Sequence, residues 1–290
     1  MSGVFHLPEL TVVDLLGSEA AVILHNLTTN DVKKLPVGGG CETFITEVRG
    51  RTLAHVYAFR TSDGFRLIGA PGQADAIIAH ADRYTIREDA TPSDLSSSMV
   101  GFVLSPNASE TLRNEADWGE SSAQAYDVDW LGGETMLLLT ETPGAVQQVF
   151  RTTGETPESE DAFHRARVEA GFPWYGPDIS DKNLPQEISR IKQTISFTKG
   201  CYLGQEPVAR LDALGRVQKR LMRWETRGSI PPADAQVTSN GKVVGKLTSI
   251  AIQSDDQAFA IGMARRSHFE SGATAEGEGF EAKVLGDLTA

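Results

Sequence analysis

Asn240-Gly241, set between AQVTS and KVVGK, constrains this chain most sharply. Both central positions of a type I′ turn need positive φ, and Asn-Gly is the pair that accepts it most readily, so the segment predicts a β-hairpin over 235–246. FAIGMAR (259–265) and EAKVL (281–285) add strand-like runs, and no convincing helical pattern appears beyond about residue 217. The C-terminal part is therefore expected to be a small β-barrel or sandwich.

The preceding residues mix two periods. SEAAVILHNLTTNDVKKL (18–35) reads as a helix with Ser18 as N-cap and Ala21, Leu24, His25 and Thr28 on one face, followed by a second short helix capped by Thr29. ETFITEV and TLAHVYAF alternate as strands joined at Gly50; FRLIGA is a third strand, and Pro71 opens a helix to about His80. A weaker copy follows, with strands MVGFVLS and TMLLLT, a helix from Thr142-Pro143 to Val149, and a helix SEDAFHRARVEA stopped by Gly171. The fold class is thus α+β: two split-βαβ units of ferredoxin-like type, at 1–98 and 99–212, then a β unit at 213–290.

Composition narrows the function. The 290 residues carry a net charge of −12, which disfavours general binding to a phosphate backbone. Between Arg190 and Arg223, however, eight basic residues (Arg190, Lys192, Lys199, Arg210, Arg216, Lys219, Arg220 and Arg223) face only Glu206 and Asp212. That window is either a solvated loop or a local anion site. No apolar run spans a bilayer and the N-terminus lacks signal-peptide character, so a cytoplasmic or organelle-matrix setting is expected. Cys41 and Cys201 are too few for a disulfide framework or a cluster held by one chain, and the six histidines show no zinc spacing. No stably bound metal is expected. GESSA (119–123) lacks the closing glycine of a nucleophile elbow, and the ending at Gly245-Lys246 lacks the hydroxyl residue of a phosphate loop.

Two stretches remain. In RVEAGFPWYGPDI, Glu169 closes a helix, where its charge is disfavoured by the helix dipole. It either pairs with Arg165 or faces paired donors of a heterocyclic ligand; Trp174 and Tyr175 are then an aromatic wall or simply core. In TKGCYLGQE (198–206), Lys199 stands two residues before Cys201, and an adjacent ammonium favours thiolate. The same residues also read as a turn holding a small buried cysteine. Cys41, after three glycines, reads only as buried.

Together, TKGCYLGQEPVAR and RVEAGFPWYGPDI…NLPQEI resemble the YgfZ-type folate-binding proteins, relatives of the glycine-cleavage aminomethyltransferase (T-protein, GcvT) superfamily. LHNLTTNDVKKL, RVQKRLMRWE and GKVVGKLTSIA extend the resemblance over most of the chain, most weakly at 90–140. It implies two ferredoxin-like domains, which exchange segments in relatives, and a barrel, arranged as a three-lobed ring around a central folate channel. It further implies tetrahydrofolate, or a derivative, held by Glu169, Tyr175, Asp178, Gly200, Tyr202, Gly204, Gln205, Glu206 and Arg210. Cys201 would be the functional thiol polarised by Lys199, and the partners would be iron–sulfur client enzymes or assembly factors. Aminomethyltransferases carry paired aspartates where this chain has Ala54-His55, an asparagine-alanine pair where it has Gly69-Ala70, and no counterpart of Cys201. An active glycine-cleavage enzyme is therefore not expected. The enzymatic alternative is a folate-dependent one-carbon transferase or demethylase using Asp31 or Asp178 as its acid.

Overall fold

The computed structural model describes residues 3–115, 121–215 and 217–288; Arg216 and the first two residues of GESSA lie outside them. Every named strand pairing is antiparallel. One sheet has five strands in the order Gly40–Thr46, Thr52–Arg60, Gly64–Gly69, Thr11–Leu16, Thr91–Asp94. A second has four, in the order Val4–Leu7, Val100–Leu104, Thr135–Thr140, Gln124–Val128. Six further strands close a barrel: Lys219–Gly228, Gln257–Arg265, Lys242–Ser254, Gln236–Ser239, Thr274–Gly277 and Phe280–Asp287. This is the α+β, α+β, barrel order that the sequence predicts. Asn240 and Gly241 take φ of 51° and 71°, as the hairpin requires.

Among the described residues seven α-helices accompany these sheets: α1 (Ala20–Leu27), α2 (Ala74–Tyr84), α3 (Pro106–Glu115), α4 (Pro143–Thr153), α5 (Glu160–Ala170), α6 (Ile191–Thr194) and α7 (Gln205–Leu214). Three starts differ from the sequence reading. The second short helix is a 3-10 turn, Val32–Lys34, with Asp31 at its N-cap, because the Thr29 hydroxyl donates to the Thr194 carbonyl instead. The N-cap of α1 is Glu19, because the Ser18 hydroxyl and amide both bond Asp89. Helix α2 begins at Ala74 rather than Pro71, after Gly72 turns the chain at φ 82°. Helices α3 and α7 and strands Val4–Leu7 and Thr11–Leu16 are additions. Thr11–Leu16 lies inside its sheet and is buried almost throughout, so it lacks the alternation that marks a half-exposed strand.

The chain crosses between lobes at both ends of the α+β region. Val4–Leu7 leaves the first sheet to pair with Val100–Leu104 in the second. Residues 183–204 return to the first sheet, where the Thr52 amide donates to the Asn183 carbonyl and the Thr46 hydroxyl to the Leu203 carbonyl. An aromatic core of Tyr57, Phe59, Trp130, Phe163, Phe172 and Trp174 joins the two sheets. Another core, including Phe44, Val168, Ile188, Leu221 and Ile261, joins the first sheet and the helix at 160–170 to the barrel. No helix among the described residues is long and apolar enough to cross a membrane.

Candidate functional site: an exposed thiol on a pinned loop

The KGCYLGQE segment fills the connection between α6 and α7, and its two ends are fixed differently. At the C-terminal end Gly204 has φ 80°, and a β-carbon there would lie 2.4 Å from the Glu47 carbonyl oxygen and 2.7 Å from Gly50 Cα. Only glycine allows both that conformation and that approach. At the other end Lys199 is buried, and its ammonium donates to the carbonyls of His25 (2.7 Å), Thr28 (2.6 Å) and Asn30 (2.9 Å). Its Nζ also stands 4.9 Å from the centre of the Tyr202 ring. Further stitches run from Asn30 Nδ2 to the Gln193 carbonyl, from the Thr29 hydroxyl to the Thr194 carbonyl, and from the Leu203 amide to the Asn26 carbonyl. Between these clamps Cys201 is exposed.

This geometry revises the part given to Lys199. All three ammonium hydrogens go to main-chain carbonyls, so the lysine acts as an internal tie. Burial pushes its pKa down to about 7. The thiol coupled to its charge is that of Cys41, which burial nevertheless pushes up to about 12. Cys41 is the inert cysteine and Cys201 the accessible one.

Past Tyr202 the loop opens into a groove of about 750 Å³. Val48, Leu184, Tyr202 and Leu203 give it apolar walls, while Gln205, Glu206 and Arg210 bring polar ends. Helix α7 is held in place beneath it by the Gln186 side-chain amide, which donates to the Val208 carbonyl at 2.6 Å. Volume and lining suit a drug-sized heterocycle.

The other expected ligand residues lie elsewhere. Asp178 is buried and accepts from Arg167 Nη1 (2.8 Å), the Trp174 amide (2.9 Å), the Thr248 hydroxyl and the Ser249 hydroxyl (2.7 Å). With both oxygens engaged, it clasps α5 to the barrel and has little capacity for a ligand. Glu169 is exposed; it accepts from Gln253 Nε2 at 2.6 Å, and its carbonyl accepts from Arg223 at 2.8 Å. Its partners are barrel residues rather than Arg165. The Tyr175 hydroxyl donates to the Leu53 carbonyl, and Trp174 is core. Where Tyr175 meets His55, Tyr57, Gly69, Trp130 and Phe172, the cavity is only about 10 Å³. That space holds roughly one water. A heterocyclic ligand of that size therefore has room in the groove and none in this closed junction.

The basic window is also largely engaged. Arg190 is fully buried, Arg220 pairs with Asp287, and Lys219 lies 3.4 Å from Glu187. Arg190 belongs to a network that the sequence reading missed. Its Nε and Nη2 donate to the two oxygens of Glu42 at 2.7 and 2.6 Å, Nη2 also reaches Asp129, and His55 Nε2 meets Glu42 at 2.6 Å. The position where the acids of aminomethyltransferases are missing thus faces a carboxylate from the neighbouring strand. A signal existed: Glu42 shares the buried face of its strand with Phe44, and an acid on a core face requires a partner. Among the described residues no three His, Cys, Asp or Glu side chains gather as a metal site.

Comparison with known proteins supplies the remaining context. Residues 218–285 match the family model described as CAF17, C-terminal beta-barrel domain. Over 281 residues the chain is 25% identical to the tRNA-modifying protein YgfZ of Cronobacter sakazakii, covering 92% of this chain and 85% of that protein. It is 27% identical over 270 residues to the mitochondrial iron-sulfur cluster assembly factor IBA57 of Mus musculus, covering 83% and 73%. A putative chloroplastic transferase of Arabidopsis thaliana is 26% identical over 256 residues; the match takes in 80% of this chain but only 58% of that protein. Among solved structures, the glycine cleavage system aminomethyltransferase T from Bartonella henselae superposes with a TM-score of 0.83 at 17% identity, covering 98% of this chain and 84% of that one.

Proposed function

We propose that the chain is a YgfZ-type protein, on the fold of the glycine-cleavage aminomethyltransferases, and that it is an accessory protein for the assembly or repair of iron–sulfur enzymes, with Cys201 as its working thiol. One observation carries this reading: the loop is pinned by Lys199 and Gly204 while the thiol between them is left in solvent. A cysteine retained only for packing would be buried, as Cys41 largely is. The name of the IBA57 relative, an iron-sulfur cluster assembly factor, supports the client class. The transferase alternative is less well supported, because Asp178 is engaged in the clasp and Asp31 pairs with Lys34 at 2.7 Å.

Tetrahydrofolate is the proposed ligand, and when bound it would supply a reduced pterin able to carry one-carbon units. Tyr202 and Leu203 would pack its rings, the Gln205 amide and Glu206 carboxylate would meet ring amino and N–H groups, and Arg210 would meet a carboxylate tail.

The functional reading is tested in a strain lacking its own counterpart of this protein, by the activity of an iron–sulfur dehydratase. Wild type should restore that activity and Cys201→Ser should not; full restoration by Cys201→Ser overturns the reading. Calorimetry tests the ligand separately. Arg210→Glu should weaken tetrahydrofolate binding by about tenfold, the scale of one charge-assisted contact, while Glu169→Ala should leave it unchanged. The reverse pattern places the ligand at α5.

A further inference from the structure

Next to Cys201 the loop passes over an imidazole with unused hydrogen-bonding capacity. His25, in the last turn of α1, is only 6% exposed. Neither of its ring nitrogens has a hydrogen-bond partner among the described residues, and the buried Nδ1 lies 3.5 Å from Asp31 Oδ1. Its Nε2 lies 3.7 Å from the point where a β-carbon on Gly200 would stand. Buried polar groups are nearly always paired, and glycine at 200 leaves this one approachable from outside the chain.

The charged groups facing His25 are Lys199, Lys33, Asp31 and Lys34. Asp31 is already paired with Lys34, so three lysines give this corner a local positive charge on a chain of net −12. Burial, with Lys199 next, pushes the His25 pKa down to about 4, which leaves a neutral ring offering one N–H and one lone pair. Lys33 and Lys34 are exposed. The corner thus combines an exposed sulfur, a neutral polar group and two exposed cations.

We propose that His25, Gly200 and Cys201, with Lys33 and Lys34 beside them, form a subsite for an anionic low-molecular-mass thiol or its disulfide. Carboxylates of the ligand meet the two lysines, its polar backbone meets His25, and its sulfur meets that of Cys201. In exchange with the disulfide form, the Cys201 proton leaves to solvent and its thiolate attacks one sulfur. The ligand S–S bond breaks, a mixed disulfide forms, and one ligand thiolate departs. The disulfide is itself the oxidant, so the electrons balance. The subsite rests on the reading of Cys201 as the working thiol.

The test uses the full chain carrying Cys41→Ser and compares the rate of Cys201 modification by glutathione disulfide, which is anionic, and by cystamine, which is cationic. The anionic reagent should react faster by about tenfold at low ionic strength, and the preference should collapse at about 0.5 M salt, where the Debye length is only a few Å. Lys33→Glu/Lys34→Glu should abolish the preference. His25→Leu should slow only the anionic reagent, by roughly fivefold, as for the loss of one hydrogen bond. Equal rates for the two reagents in wild type overturn the subsite, as does a preference that survives the double charge reversal. Should that variant fail to fold, the salt dependence of the wild-type rates decides alone. A charge preference combined with full complementation by Cys201→Ser keeps the subsite and sinks the functional reading; no preference with failed complementation does the reverse.

Discussion

At Gly204 the chain needs a φ of 80° while the Glu47 carbonyl stands 2.4 Å from where a β-carbon would lie, so backbone strain and steric overlap act together. Gly204→Ala should cost about 1–3 kcal/mol, the usual range for a residue held in a sparsely populated conformation, and should lower the thermal midpoint in calorimetry. Glu42 carries a pH dependence. Burial alone would raise its pKa, but the Arg190 guanidinium and the His55 hydrogen bond outweigh it and hold the value at about 2, against an ordinary 4.5. A depressed carboxyl pKa stabilises the fold fully above the unfolded value and loses that contribution as pH falls through the folded one. Glu42→Gln should therefore lose about 3–5 kcal/mol at neutral pH, since Arg190 is left buried with its bidentate partner gone. Denaturant melts should show the gap to wild type narrowing between pH 4.5 and pH 2.

Among the elements, α5 shows what local sequence can and cannot specify. Ser159 caps it by accepting from the Ala162 amide, and Gly171 ends it at φ 82°, both as SEDAFHRARVEAG predicts. The Asn240-Gly241 hairpin was equally legible, because a turn of that kind is decided by two residues. What α5 docks onto was not legible. Arg167 reaches Ser249 across 82 residues and Asp178 closes the clasp. Asp178→Asn keeps the shape but removes the charge that balances Arg167, and should cost about 3–5 kcal/mol as a broken buried pair. The loss should appear as faster proteolysis of the α5–barrel junction. Helix α7 was missed because TKGCYLGQE reads as a turn; Pro207 sits in its first turn, where a missing amide is tolerated.

In the whole molecule, the order of two α+β units and a barrel was foreseeable, whereas the crossing of its segments was visible only in three dimensions. Val4–Leu7 joins the far sheet, and Lys199 finds its acceptors 169–174 residues away. The same long range explains the candidate site. Cys201 stood out in the sequence, but the residues that hold its loop, His25, Thr28, Asn30 and Gly50, belong to the opposite end of the chain. Residue spacing offered Lys199 as a partner for the thiol; packing made it a tie instead.

The most direct measurement of the central claim is time-resolved alkylation of the native protein with iodoacetamide, read by mass spectrometry at each cysteine and matched to its ability to support an iron–sulfur enzyme in an assembly assay. Cys201 should be modified while the fold is intact, Cys41 only on unfolding, and support should fall in proportion to labelling at Cys201. Native protein fully alkylated at Cys201 yet undiminished in the assay, or protected there as well as at Cys41, contradicts the claim.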